Sequence, residues 1–177
     1  MDELNKLEEI ESEFKQNKKI KKIIGIFLFL LIISYFLLSQ AVFPLIESMA
    51  ESRSSVNNTI YVNPSMSIIF KGETYGALQK IYFENTSVEF VVCLFGEKKI
   101  NNYIISELFI PEIIDQSFNH VSFKSCPKET IILLHSHPYR RCIASNQDLK
   151  TLEFLKNNNN HSLIMIMCDE NRFSTYS

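Results

Sequence analysis

From Ile23 to Ile46 the chain runs 24 residues without a charged side chain, and the stretch from Ile23 to Leu38 reads IIGIFLFLLIISYFLL. A helix crosses a bilayer with about 20 apolar residues, so this segment predicts one transmembrane helix over 23–46, with the lipid bilayer as its partner. Lys15, Lys18, Lys19, Lys21 and Lys22 crowd its N-terminal side, whereas Arg53 is the only basic residue from Ala41 to Ile60. By the positive-inside rule the N-terminus is then cytoplasmic and the rest of the chain faces outward. Tyr35 and Phe43 suit the outer interface, and Pro44 is placed to end or kink the helix. A cleaved signal peptide is the rival expectation, because Ser39-Gln40-Ala41 has the small-x-small form of a cleavage site. Against it, the 22 residues before Ile23 carry six acids beside six lysines, which is not the basic leader of a signal peptide.

Four segments follow from this division: a charged tail over 1–22, the membrane helix over 23–46, a polar tether over 47–59 and one domain over 60–177. In the tail, Leu4, Leu7, Ile10 and Phe14 recur at spacings of three and four, as on one face of a short helix. The domain of 118 residues holds 11 Lys plus Arg against 12 Asp plus Glu, a net charge of -1. Such a balance gives no basic surface for nucleic acid. With 46% hydrophobic residues and 21% charged in the whole chain, wholesale disorder is excluded as well. Cys93, Cys126, Cys142 and Cys168 all lie in the domain and none has CxxC spacing, which argues against a zinc ribbon. One or two disulfides can form in an oxidising compartment, but spacing does not choose their pairing.

Within the domain, Thr74 to Asn85 puts Leu78, Ile81 and Tyr82 on one face and predicts a helix. Ser87 to Phe95 and Tyr103 to Ile110 are β-branched and aromatic runs that stop at Gly96 and Pro111, and predict neighbouring strands. Val121 to Lys124, Thr130 to His135, Leu163 to Met167 and Arg172 to Tyr176 predict further strands, and Ser145 to Lys156 a second helix. Asn157 to Asn160 reads as the loop that ends it. The expected class is α+β, a mixed sheet flanked by helices.

Four polar side chains stand out against this apolar pattern. His135 and His137 are two apart on an extended backbone and so face the same side, where both imidazoles can reach one ion. Ser145 occupies a helix N-cap position, and Asp148 three residues on aims its carboxylate back toward the helix start. Two imidazoles and one carboxylate leave a tetrahedral zinc with an open fourth position, the mark of a catalytic rather than a structural site. Zinc lowers the pKa of water there to about 7, and Glu89, alone in an apolar run, is placed to take its proton and pass it to a leaving amine. His120 and His161 lack patterned neighbours and read as surface residues.

This set resembles the JAMM (MPN+) metalloproteases, whose pattern is an upstream Glu, then H-x-H-P, a loop, and S-x-x-D. Here it stands as Glu89, His135-Ser136-His137-Pro138 and Ser145-Asn146-Gln147-Asp148, with seven residues between His137 and Ser145. Glu89 to Gly96 (EFVVCLFG) is similar to the family's E-x-x-G-x-L-x-G strand, with Val92 in place of the usual Gly. The resemblance covers nearly all of 60–177. It implies an MPN/JAMM-like, cytidine-deaminase-like sheet flanked by helices. It also implies one zinc per domain held by His135, His137 and Asp148, Glu89 as general base and then acid, and Ser145 helping to hold the oxyanion. The implied activity is hydrolysis of an isopeptide or peptide bond to a ubiquitin-like modifier or related protein tail. A departure in the loop is Tyr139-Arg140-Arg141-Cys142, where small residues and Pro are commoner. Arg140 and Arg141 can steer an acidic tail, and Cys142 can be a structural cysteine or a thiol that reaches the metal.

The competing expectation is a non-catalytic MPN scaffold tethered to the membrane, as in relatives that lack the ligands. RadC-type proteins share the metal pattern, but the net charge of -1 and the apolar segment speak against their suspected nucleic-acid role.

Overall fold

The computed structural model describes residues 2–138 and 141–177, without the side chains of 2–17 and of residues 40, 41, 44 and 45. The expected apolar stripe of Leu4, Leu7, Ile10 and Phe14 and the side chains of Gln40 and Ala41 lie outside the described residues, as do Tyr139 and Arg140. The chain divides into two compact units, 1–44 and 45–177. Helix α1 spans Asp2–Glu51. Within it Lys18–Ser39 is long and apolar enough to cross a membrane, a test that a signal sequence also passes. Its large apolar side chains are exposed. The helix does not end at Pro44 as expected. It closes at Glu51, where the Ser52 amide and hydroxyl donate to the Ser48 carbonyl and the Arg53 guanidinium donates to that of Ala50.

The segment expected to be a polar tether is structured instead. Strand β1 (Arg53–Val56) turns back into β2 (Thr59–Asn63) through Asn57 and Asn58, both at positive φ, the backbone that a two-residue type I′ hairpin turn requires. A second turn, in which the Asn63 side chain accepts from the amides of Ser65 and Met66, leads to β3 (Met66–Phe70). Helix α2 (Thr74–Glu84) follows, then β4 (Val91–Lys99), β5 (Asn102–Phe109), β6 (Ile113–Gln116), β7 (Val121–Phe123), β8 (Ile132–Ser136), α3 (Asn146–Asn158), β9 (Leu163–Asp169) and β10 (Arg172–Tyr176). Gly96 does not stop β4 as expected. The strand bulges there because it passes so close to β5 that a Cβ on Gly96 would stand 1.9 Å from the Ile104 carbonyl oxygen.

The strands close into a barrel in the order β1-β10-β9-β8-β4-β5-β3-β2, and β6 and β7 form a separate two-stranded ribbon. Pairing is mixed: β3 with β5 and β8 with β9 are parallel, the other pairs antiparallel. This corrects the expectation of a sheet flanked by helices in the MPN/JAMM manner. The closure comes from β1, which lies in the supposed tether and joins β2 on one side to β10 on the other. A domain beginning at Ile60 would therefore lose a barrel strand.

The main core gathers the inward residues of the barrel, among them Ile68, Val92, Leu94, Leu134, Met165 and Phe173, with Tyr75 and Leu78 from α2. A second cluster, Val91, Leu133, Leu152, Ile164 and Ile166, lies on the opposite face of β4, β8 and β9 against α3. Val92 belongs to the first cluster, on the other side of the sheet from the histidines, so replacing the family's Gly there does not crowd them.

Candidate metal centre

Strand β8 sits between β4 and β9, its register set by His135 opposite Val91 on one side and Ile166 on the other. The alternation that sends Ile132 and Leu134 inward sends Leu133 and His135 toward α3. Past the end of β8 the His137 amide still donates to the Met167 carbonyl at 3.1 Å, which keeps the backbone extended and both imidazoles on one side. Both histidines are buried.

Asp148 arrives from α3. Ser145 caps that helix in a reciprocal box: its hydroxyl accepts from the Asp148 amide at 3.2 Å and its own amide donates to Asp148 Oδ2 at 2.6 Å. The carboxylate is thereby turned back over the histidines. His135 Nε2 lies 3.1 Å from Asp148 Oδ1, His137 Nε2 lies 3.5 Å from Asp148 Oδ2, and the two Nε2 atoms are 3.1 Å apart. His135, His137 and Asp148 thus form a group that can hold a metal ion.

The geometry suits a cation at this point. His137 Nδ1 donates to the Arg141 carbonyl at 3.0 Å, which turns Nε2 toward His135 and Asp148. Burial alone would raise the Asp148 carboxyl, but hydrogen bonds from His135 and His137 outweigh it and hold the group well below the ordinary carboxylate range. The site is built around a standing negative charge.

Glu89 lies just before β4 rather than within a strand, with Oε1 3.9 Å from His137 Nε2. Burial pushes its carboxyl up, against the pull of His137 and His135 and with Asp148 adding to the rise. Its backbone is clamped on both sides: the amide donates to the Ser117 carbonyl at 2.8 Å and the carbonyl accepts from the Gln116 side chain at 2.7 Å. Ser136, between the two histidines, has its hydroxyl turned to accept from the Phe90 amide at 3.0 Å, and its own amide donates to the Phe90 carbonyl. The segment carrying Glu89 and the strand carrying the histidines are in this way fastened to each other.

The structure brings together His135, His137, Asp148, Glu89 and Ser145, all five singled out from the sequence. Ser145 is exposed, and its hydroxyl accepts from the Asp148 amide and also acts on the Asp148 carboxylate. Sequence inspection missed Gln116, Ser117, Ser136 and the Arg141 carbonyl. Of these only Ser136 carried a signal, by its place inside the HxH pair. His120 is exposed, as expected, and stands near enough to Glu89 to lower its carboxyl when protonated. His161, also exposed, contacts Lys98 Nζ through Nδ1. The cysteines pair as Cys93 with Cys126 and Cys142 with Cys168, so Cys142 is a structural cysteine here rather than a thiol facing the metal. No protein-family model matches the chain, and no curated protein matches it.

Proposed function

We propose that the protein is a membrane-anchored zinc hydrolase that cleaves an amide or isopeptide bond to a ubiquitin-like modifier or a related protein tail. The observation that carries this is the convergence of His135, His137 and Asp148 at 3.1–3.5 Å, with a half-buried carboxylate, Glu89, 3.9 Å away. Zinc with bonds of about 2.0–2.1 Å in tetrahedral geometry spaces its ligand atoms by about 3.3 Å, so the donor set fits that ion. The motif likeness to JAMM metalloproteases supports the same reading, and the fold expected from it is not carried over.

Bound zinc supplies a Lewis acid that polarises a carbonyl and lowers the pKa of water at its open position to about 7. The chain's own part follows from the geometry. The bond from His137 Nδ1 to the Arg141 carbonyl turns Nε2 toward the ion, and Asp148 supplies the anionic donor. Glu89, raised by burial, takes a proton from the attacking water and returns it to the leaving amine, a change of role suited to a carboxyl with a pKa nearer neutrality. The Ser145 hydroxyl is the candidate donor to the oxyanion.

The lysine-rich flank of the apolar helix supports a cytoplasmic N-terminus with the barrel outside, and the two disulfides agree with an oxidising compartment. An outward barrel points to secreted or cell-surface protein tails as substrates. The test is elemental analysis of the full chain purified in detergent. Wild type is expected to hold about one zinc per chain and His135→Ala/His137→Ala none. Glu89→Gln is expected to keep the zinc and to lose hydrolysis of isopeptide-linked probes by about 10²–10⁴-fold. A wild-type chain that refuses zinc after loading would overturn the assignment in favour of a non-catalytic tethered scaffold.

A further inference from the structure

The loop after β8 is held at Cys142 from three directions. Its sulfur is bonded to Cys168 on β9, its amide donates to the Ser48 hydroxyl at 3.2 Å, and its carbonyl accepts from the Ser174 hydroxyl on β10. Cys142 is 1% exposed, a degree of confinement that a loop packing on its own seldom reaches. The residue immediately before it is Arg141, whose carbonyl takes the Nδ1 proton of His137. A backbone carbonyl in that role decides which ring nitrogen faces the ion and how the ring is turned. The carbonyl has no side-chain identity to keep it in place. Its position depends on where the neighbouring peptide is anchored.

We infer that the Cys142–Cys168 disulfide is a positioning element of the metal centre, acting on His137 through the Arg141 carbonyl. This rests on the assignment of His135, His137 and Asp148 as zinc ligands. The other disulfide provides the contrast. Cys93–Cys126 closes a longer loop, 33 residues apart against 26, so on chain-entropy grounds it stabilises the fold at least as well. It ties β4 to the loop after β7, and neither of its cysteines adjoins a group bonded to a ligand.

The two bridges should therefore separate in metal affinity though not in stability. The experiment measures zinc affinity by chelator competition in the full chain in detergent, below the unfolding temperature of every variant. Cobalt absorption serves as a second readout of ligand geometry. Cys142→Ala/Cys168→Ala is expected to bind zinc about 10- to 100-fold more weakly and to show an altered cobalt spectrum, the usual range for losing an outer hydrogen-bond partner of a ligand. Cys93→Ala/Cys126→Ala is expected to stay within about 2-fold of wild type, with the wild-type spectrum. Ser174→Ala, which leaves both bridges intact and removes the Ser174 bond to the Cys142 carbonyl while that of Tyr176 stays, is expected to show a smaller loss in the same direction and decides the matter if the first variant does not fold. Equal affinities in all variants, or equal losses in both disulfide variants, would overturn the positioning role while leaving the zinc assignment standing. Absence of zinc from wild type would overturn the assignment itself.

Discussion

Along β8, Ile132 and Leu134 point into the barrel and are completely buried among apolar side chains, whereas Leu133 and His135 face α3, where a smaller apolar cluster gives way to two imidazoles and two carboxylates. One strand thus serves two environments that alternate residue by residue. The inner face is closed and uniform, which suits the strength of hydrophobic burial. The outer face keeps a charge, Asp148, held as the anion by His135 and His137, and a partly desolvated acid, Glu89, whose ionised form costs stability. A strand anchored by its inner face can hold strained chemistry on its outer one.

The largest effect should come from the inner face. Leu134→Ala is expected to lower unfolding stability by about 3 kcal/mol, with zinc affinity of the folded fraction unchanged. Chemical denaturation and metal titration of the same sample check this, and a parallel loss of affinity would show that the faces are not independent. Ser145→Ala should cost about 1 kcal/mol by removing the helix cap, while the Ser145 amide still bonds Asp148 and holds zinc affinity within a few-fold. A much larger loss of affinity would transfer the orientation of Asp148 from backbone to hydroxyl.

The smallest effect has the opposite sign. Because burial raises the Glu89 carboxyl in the folded state, its protonated form is favoured by folding. The stabilisation is present below the unfolded-state pKa and is lost as pH rises through the folded one. Asp148, held low, works the other way and gains stability as pH rises through the ordinary carboxylate range. Chelator-treated Glu89→Gln is therefore expected to be slightly more stable than wild type at neutral pH, with the gap closing toward acid. Thermal unfolding across pH reads the difference directly, and a gap that widens toward acid would mean that Glu89 is stabilised as the anion.

The ligand set was legible because it depends on local rules: alternation puts His135 and His137 on one side, and a cap box turns Asp148 toward them. The barrel was not, because its closure rests on β1, a short strand of sequence RSSV that has no apolar run to announce it. The paired asparagines at 57 and 58 were the available sign of a hairpin, and they were absorbed into a polar stretch. Gly96 misled for a related reason. Glycine marks chain ends and close approaches alike, and only the neighbouring Ile104 carbonyl tells which. The Arg141 carbonyl and the clamp on Glu89 stayed hidden because backbone groups are common to every residue.

A closed barrel presents no free strand edge, so the main sheet neither templates aggregation nor accepts an added strand from another chain. Among the described residues the β6–β7 ribbon stands outside that closure, and it leads into Ser117, whose carbonyl already takes the Glu89 amide. Among the described strands, a free edge for backbone pairing with an extended polypeptide is thus left on this ribbon, next to Glu89.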